Sequence, residues 1–124
     1  LVARRGLAVM VAHVQHRGMD PELPASLSPR VIDGFLRAQL GFDGVVVTDS
    51  VDMRAIADFW TPEEAAVMAV RAGADLVIDG FNLAHRREHP ARAVVAALRS
   101  AIDTERLDRS LARIDRLRAE IGRL

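Results

Sequence analysis

The sequence contains no cysteine, and all 17 of its basic residues are arginines, so it also contains no lysine. The missing thiol excludes cysteine catalysis, zinc–cysteine sites and disulfides. Without cysteines the sequence does not indicate whether the protein works in an oxidising or a reducing compartment. The missing ammonium excludes Schiff-base catalysis, the P-loop lysine and the lysine that receiver domains need. The sequence therefore excludes every reaction that needs a thiol or an ammonium group.

Excess charge and long apolar runs are absent too. The 17 acidic residues balance the basic ones at a net charge of zero, so the electrostatic footprint of a nucleic-acid-binding protein is missing. No apolar run approaches the ~20 residues that span a bilayer. We predict no nucleic-acid partner and no membrane span. The 124 residues, half of them hydrophobic, are enough for one domain with its own core.

Three apolar runs predict β-strands, at residues 7–14, 44–48 and 75–79. Their apolarity is continuous rather than alternating, which is typical of parallel strands that are covered on both faces.

Helical patterns fill the segments between and after these runs. Ser28 is a predicted N-cap for a helix that ends near Gly41, and Thr61 opens a capping-box pattern for one that ends at Gly73. Two further helices are predicted at 90–101 and from Thr104 onward, and we interpret the arginine-rich face of the last one as solvated surface. Strands that alternate with helices indicate an α/β fold with a parallel sheet, whose carboxyl-end loops lie together.

Asp49 is the sharpest candidate for chemistry because it directly follows the run Val45-Val46-Val47-Thr48. A carboxylate at the carboxyl end of a strand can act as a nucleophile, a general base or a metal ligand. The same position also suits an Asp that caps the following turn. The pattern alone leaves both interpretations open.

The remaining polar candidates are weaker. His13 closes the first predicted strand, and an odd sequence offset separates it from His16, so we predict no metal site shared by the two. His16, His85 and His89 are interpreted as polar loop residues. Asp79 ends the third strand on the functional face and could touch a ligand.

Three more residues carry structural alternatives. Asp75 starts the third strand and is interpreted as structural. Met53 and Trp60 follow Asp49 and either wall a pocket or staple the loop.

Together the motifs resemble the later part of the catalytic barrel of glycoside hydrolase family 3, closest to the bacterial β-N-acetylhexosaminidases. The combination is more specific than any one piece, and it spans nearly the whole chain. The segments that carry the resemblance are Met10-Val11-Ala12-His13, Leu23-Pro24-Ala25-Ser26-Leu27-Ser28, Leu40-Gly41-Phe42-Asp43-Gly44-Val45-Val46-Val47-Thr48-Asp49, Glu63-Glu64-Ala65-Ala66, Ala72-Gly73-Ala74-Asp75 and Arg106-Leu107-Asp108-Arg109-Ser110.

The resemblance implies that Asp49 is the nucleophile of a retaining glycosidase that removes terminal β-N-acetylglucosamine without a cofactor or a metal. It implies an amino-sugar glycoside as the substrate, and we predict substrate contacts at His13, Met53 and Asp79. The family's acid/base histidine belongs to a Lys-His and Pro-Gly-His-Gly region that this sequence does not contain. Ser50 departs from the second acidic residue that many members carry at this position.

A complete (β/α)₈ barrel takes about 250 residues, so the resemblance predicts a partial barrel. Residues 1–124 would supply the sixth to eighth strands and a C-terminal helix, with the N-terminal portion absent. The missing barrel half or a second copy would then be the partner, and localisation stays open between the bacterial cytoplasm and export.

Other functions stay under consideration. The alternatives are a non-catalytic barrel remnant, a β-glucosidase-type member, a phosphorolytic variant and, remotely, a receiver-like signalling domain. The receiver pattern disagrees with the lack of lysine, with Ala12-His13-Val14 in place of the acidic pair, and with Arg54 after Met53.

Overall fold

A computed structural model describes residues 8–80 and 91–122, and these form an α/β fold around a three-stranded parallel sheet. The strands lie in the order β1-β2-β3, and helices connect and follow them, as the alternating pattern predicts. Neither described range contains a helix that is both long and apolar enough to span a membrane. The elements are β1 (Ala8–Val11), a 3-10 turn (Ala25–Leu27), a π-helix (Arg30–Gln39), β2 (Val45–Ser50), α1 (Arg54–Ala57), α2 (Pro62–Ala72), β3 (Leu76–Ile78), α3 (Ala91–Ala101) and α4 (Thr104–Ile121).

The central strand β2 lies in the core because it pairs on both sides and carries β-branched side chains. Val45, Val46 and Thr48 are buried. Val46 belongs to a core cluster that includes Ile32 and Ala69, from the π-helix and α2, and Val9 and Val77 of the neighbouring strands pack against it. Helices therefore cover one face of the sheet.

In the described residues, the opposite face of the sheet is open at the two outer strands, β1 and β3. The register pairs Met10 with Val47 and Val47 with Leu76, so these three side chains share one face. Met10 is 57% exposed, Leu76 42% and Ile78 36%. The prediction that every strand is covered on both faces is right for β2 and wrong for β1 and β3. Continuous apolarity marks surface that needs a cover, and the described residues cover both faces only at the central strand β2.

We expect the isolated chain to self-associate. Each large apolar side chain left in water forfeits roughly 1.5–3 kcal/mol, whereas a domain is stable by only about 5–15 kcal/mol. Size-exclusion chromatography with light scattering should give a mass above that of the monomer, with a melting temperature that rises with concentration. Met10→Asp should shift the chain toward monomer, and Leu111→Asp, at a 55% exposed position on α4, should not. A sharp monomer peak with a concentration-independent melt would contradict this expectation.

The helix ends follow the predicted signals. Thr61 and Glu64 form the capping box of α2, and Gly73 ends that helix with a φ of 117°. The Ser28 hydroxyl accepts a hydrogen bond from the Val31 backbone N–H at 3.2 Å, as an N-cap does.

The first predicted helix differs in its winding. It is a π-helix, in which the backbone N–H groups of Gly34 and Leu40 donate to carbonyl groups five residues earlier. Apolar spacing shows which face is buried, but it does not separate this wider turn from an α-turn.

The arginine-rich face of α4 is not simply a solvated surface, which corrects the prediction. Arg106 is buried, and the side chain of Arg113 is only 16% exposed. Both point to the amino end of β3, where the Asp75 carboxylate is fully buried. Their distances to its Oδ1 are 3.6 Å from Arg106 Nη1 and 3.2 Å from Arg113 Nη1. The acids interleaved along α4 predict exposed ion pairs within the helix. The partner of both arginines is instead Asp75, more than 30 residues away in the sequence.

Asp75 ties three segments together and is structural, as interpreted from its position. Its Oδ2 accepts from Arg37 Nη2 at 2.7 Å and from the Val46 N–H at 3.0 Å, and its Oδ1 accepts from the Ser110 hydroxyl at 2.7 Å. The π-helix, β2 and α4 thereby meet at one buried carboxylate.

Asp75→Asn should destabilise the fold by about 3–5 kcal/mol, because it leaves buried arginines without their counter-charge. Urea unfolding followed by circular dichroism at fixed protein concentration measures the loss. The matched control is Asp43→Asn, since Asp43 also pairs with Arg113 but is 69% exposed, and exposed pairs contribute about 1 kcal/mol or less. Equal losses from the two variants would contradict the buried network.

Candidate functional site

Asp49 lies at the carboxyl end of the central strand, inside β2 rather than after it. Its side chain is half-buried, and its Oδ1 accepts a hydrogen bond of 2.8 Å from the Ser50 backbone N–H. No side chain within 8–80 or 91–122 donates to this carboxylate. One oxygen is thus held by the backbone, and the second is available to a ligand.

Ser50 joins the ends of two strands and the loop between them. Its hydroxyl donates to Asp52 Oδ1 at 2.5 Å and accepts from the Gly80 backbone N–H at 2.7 Å. Asp52 is buried. This acid therefore lies inside the fold two residues after Ser50, the position at which many family members carry a second acid. A Cβ at Gly80 would meet the Ser50 hydroxyl at 2.7 Å, so a larger residue there would displace that hydroxyl.

His13 connects the loop after β1 to the same strand end. That strand stops at Val11, so His13 follows it by two residues rather than closing it. Its Nδ1 lies 2.6 Å from the Ser26 hydroxyl, and its Nε2 lies 2.8 Å from the Ser50 carbonyl oxygen. Both ring nitrogens therefore have partners within the chain.

The loop that carries His13 is itself fixed. The Ala25 N–H donates to the Val14 carbonyl at 2.9 Å, which brings the 3-10 turn and its buried Ser26 back beside His13. Farther along, the Asp20 carboxylate accepts from the Ser28 hydroxyl at 2.6 Å. That hydrogen bond, with two from backbone N–H groups, holds the pKa of Asp20 below its ordinary value. Its ionised carboxylate therefore organises the loop.

Asp79 and Met53 flank this network. Asp79 follows β3, and both of its carboxylate oxygens are buried with no hydrogen-bond partner among the described residues. Buried carboxylates are normally bonded, so this one lacks a donor that a ligand could supply. Met53 is half-buried, and its N–H donates to the Ser50 carbonyl at 3.1 Å.

The structure thus gathers the predicted site residues around Ser50. This residue is hydrogen-bonded to His13, Met53 and Gly80, and Asp79 directly precedes Gly80. His16 is exposed in its loop. Trp60 packs against the core, as a staple does. His85 and His89 lie outside the described residues, as does the loop that contains them.

Metal binding finds no support in the described part of the chain, where no three His, Cys, Asp or Glu side chains are grouped to hold an ion. The site there offers carboxylates, hydroxyls and backbone groups. Such a set suits nucleophilic attack and the binding of hydroxyl-rich ligands.

Two residues of the site are not predicted by the sequence. Ser26 stands out in the sequence only as part of a motif, and Asp52 lies just after Asp49 without standing out as a site residue. The hydroxyl of Ser26, 13 residues from His13, gives no local signal, because the contact depends on the return of the loop. A polar residue between the apolar neighbours Ala25 and Leu27 is the one hint that the sequence offers.

Comparisons with known proteins agree on one family. The model described as the glycosyl hydrolase family 3 N-terminal domain matches residues 1–117. A beta-hexosaminidase of Thioalkalivibrio sulfidiphilus is 34% identical over 122 residues, which cover 98% of this chain and 32% of that protein. A beta-N-acetylglucosaminidase/beta-glucosidase of Cellulomonas fimi is 30% identical over 125 residues, covering 92% of this chain and 22% of that one.

A solved structure is similar as well. The glycoside hydrolase family 3 beta-N-acetylglucosaminidase from Paenibacillus sp. str. FPU-7 superimposes with a TM-score of 0.79 at 46% identity, over 90% of this chain and 22% of that one. The chain spans no more than a third of the length of each of these relatives.

Proposed function

Because the chain belongs to glycosyl hydrolase family 3, we propose that it carries the nucleophile of a retaining glycosidase, and that this nucleophile is Asp49. The observation that supports the role most directly is the position of Asp49. It ends the central strand of the sheet, with one carboxylate oxygen bonded by the backbone. Barrel enzymes keep their chemistry at this end of the strands.

In the proposed reaction the Asp49 carboxylate attacks the anomeric carbon of the sugar and forms a glycosyl ester. The bond to the leaving-group oxygen breaks as an acid elsewhere in the barrel gives that oxygen a proton. The same group then takes a proton from water, whose oxygen attacks the anomeric carbon and releases Asp49. The configuration is inverted twice and so retained.

We propose residues 1–124 as the sixth to eighth strands of a (β/α)₈ barrel with their helices and a C-terminal helix. The acid/base then comes from the earlier strands, because the Lys-His and Pro-Gly-His-Gly motifs are not in this sequence. The completed barrel is defined as these residues together with the strands that carry the acid/base, on the same polypeptide or on a second one.

The proposed substrate is a glycoside of terminal β-N-acetylglucosamine. Support comes from the names of the similar proteins, which include beta-hexosaminidase and beta-N-acetylglucosaminidase. Asp79 is the strongest candidate contact, because its buried carboxylate could accept from a sugar hydroxyl. Met53 would wall the site, and a direct contact of His13 with substrate stays a prediction.

A β-glucosidase-type activity is the second candidate, since one similar protein carries both activities in its name. Nitrophenyl glycosides of N-acetylglucosamine and of glucose, compared by kcat/KM with the completed barrel, decide between the two. A preference for glucose would overturn the proposed amino-sugar substrate, and turnover of neither would overturn the glycosidase.

Mechanism-based labelling tests the nucleophile. A fluorinated glycoside inactivator should trap the glycosyl ester in the completed barrel. Trypsin cleaves after Arg37 and Arg54, and the peptide 38–54 between them holds Asp43, Asp49 and Asp52. Fragmentation by tandem mass spectrometry should therefore place the added mass on Asp49. A label on either neighbouring acid, or on another peptide, would overturn the assignment.

A further inference from the structure

The hydrogen bonds of His13 fix the tautomer of its neutral ring. The Ser50 carbonyl oxygen can only accept, so the Nε2 atom 2.8 Å away carries a hydrogen and donates. In the neutral ring Nδ1 is then an acceptor, and the Ser26 hydroxyl at 2.6 Å donates to it. Ser26 is fully buried, so this hydroxyl has its direction set by the fold.

The group that His13 holds is the residue next to the proposed nucleophile. The Ser50 carbonyl accepts from His13 and from the Met53 N–H, while the Ser50 hydroxyl bonds Asp52 and Gly80. Three segments thus hold Ser50 in one orientation. Its backbone N–H is the donor to Asp49 Oδ1 at 2.8 Å.

We propose that His13 is a positioning residue that acts on Asp49 through Ser50. By holding the Ser50 carbonyl, His13 restrains the backbone at Ser50, and the N–H of the preceding peptide unit then orients the carboxylate so that its other oxygen faces the sugar. The inference rests on the proposed function, since it presumes that Asp49 attacks. His13 itself need not touch the substrate, because both of its nitrogens are bonded within the chain.

Two substitutions test the roles of the two ring nitrogens of His13 separately. The side-chain amide of His13→Gln reaches as far as Nε2 and can still donate to the Ser50 carbonyl. The shorter amide of His13→Asn reaches only as far as Nδ1 and can bond Ser26 but not Ser50. In the completed barrel, His13→Asn should lower kcat and the rate of labelling by the fluorinated glycoside about 100-fold, the scale of a misplaced reacting group. His13→Gln should restore most of both, and KM should change little in either variant.

Ser26→Ala is the independent variant, because it keeps the imidazole and removes only the donor to Nδ1. It should lower the labelling rate several-fold, with the melting temperature near that of the parent. This keeps the proposal testable if His13→Asn fails to fold.

Three results would overturn the proposal: full activity in His13→Asn, equal losses in His13→Asn and His13→Gln, or a higher KM with unchanged kcat. The last would make His13 a substrate contact instead. None of them touches the proposed function, which fails separately if Asp49→Asn keeps its activity.

Discussion

Asp49→Asn is expected to lower kcat/KM for a nitrophenyl N-acetylglucosaminide by roughly 10³-fold or more in the completed barrel, as removal of a covalent nucleophile does. The amide has nearly the shape of the carboxylate, and its oxygen can still accept from the Ser50 N–H. It carries no charge, however, and cannot form the glycosyl ester. Stopped and steady-state assays of nitrophenol release measure the loss, and circular dichroism checks that the fold is kept.

The matched control for this variant is Asp108→Asn, which makes the same chemical change at an exposed position on α4. It should leave kcat/KM within about twofold, as surface substitutions usually do. If Asp49→Asn stays within tenfold of the parent enzyme while Asp108→Asn is unchanged, Asp49 is not the nucleophile.

The sequence predicts the strands and the end of the sheet that holds Asp49, because these depend on local patterns. A β-branched run that ends in Thr48-Asp49 leaves few alternatives to a buried strand with an acid at its end. The capping box at Thr61 and the stop at Gly73 are equally local, and both are confirmed. The order of strands and helices then indicates the parallel sheet.

The rest depends on contacts between distant segments. Nothing near His13 shows that its ring bonds Ser26 on one side and Ser50 on the other. In the same way, Arg106 looks like its exposed neighbours until its buried partner Asp75 is known. The π-helix winding and the bare face of β1 and β3 are tertiary features too, set by what packs against each element rather than by its own residues.

The two ends of the sheet divide stability and chemistry between them. At the amino end, the Asp75 carboxylate forms ion pairs with Arg37 and Arg113. Its oxygens are therefore not available to a ligand. At the carboxyl end Asp49 and Asp79 have no arginine among the described partners, and Asp79 has no hydrogen-bond donor there at all. Acids that lack such partners can accept from a ligand. This asymmetry separates the site from the scaffold.

The 124-residue chain alone is expected to show no measurable glycosidase activity, although it contains Asp49. The Lys-His and Pro-Gly-His-Gly motifs are not in the sequence, and unassisted expulsion of a sugar alkoxide gives up a proton transfer worth roughly 10²–10⁴-fold. The sugar contacts that we assign to the earlier strands of the proposed barrel should cost at least as much again. Assays of the pure chain with a nitrophenyl N-acetylglucosaminide should therefore match the buffer blank.

A dinitrophenyl leaving group departs without protonation. A substrate that carries it therefore distinguishes the loss of the acid/base from the loss of the sugar contacts. If only the acid/base were missing, the chain alone would turn over the dinitrophenyl glycoside and accumulate the ester on Asp49. We expect it to do neither, since the bare face around Met10, Leu76 and Ile78 lacks the opposing strands that would enclose the sugar. Adding the strands that carry the acid/base should restore turnover of both substrates. Hydrolysis of the simple nitrophenyl substrate by the chain alone, at enzymatic rates and abolished by Asp49→Asn, would mean that an acid within these residues has been overlooked.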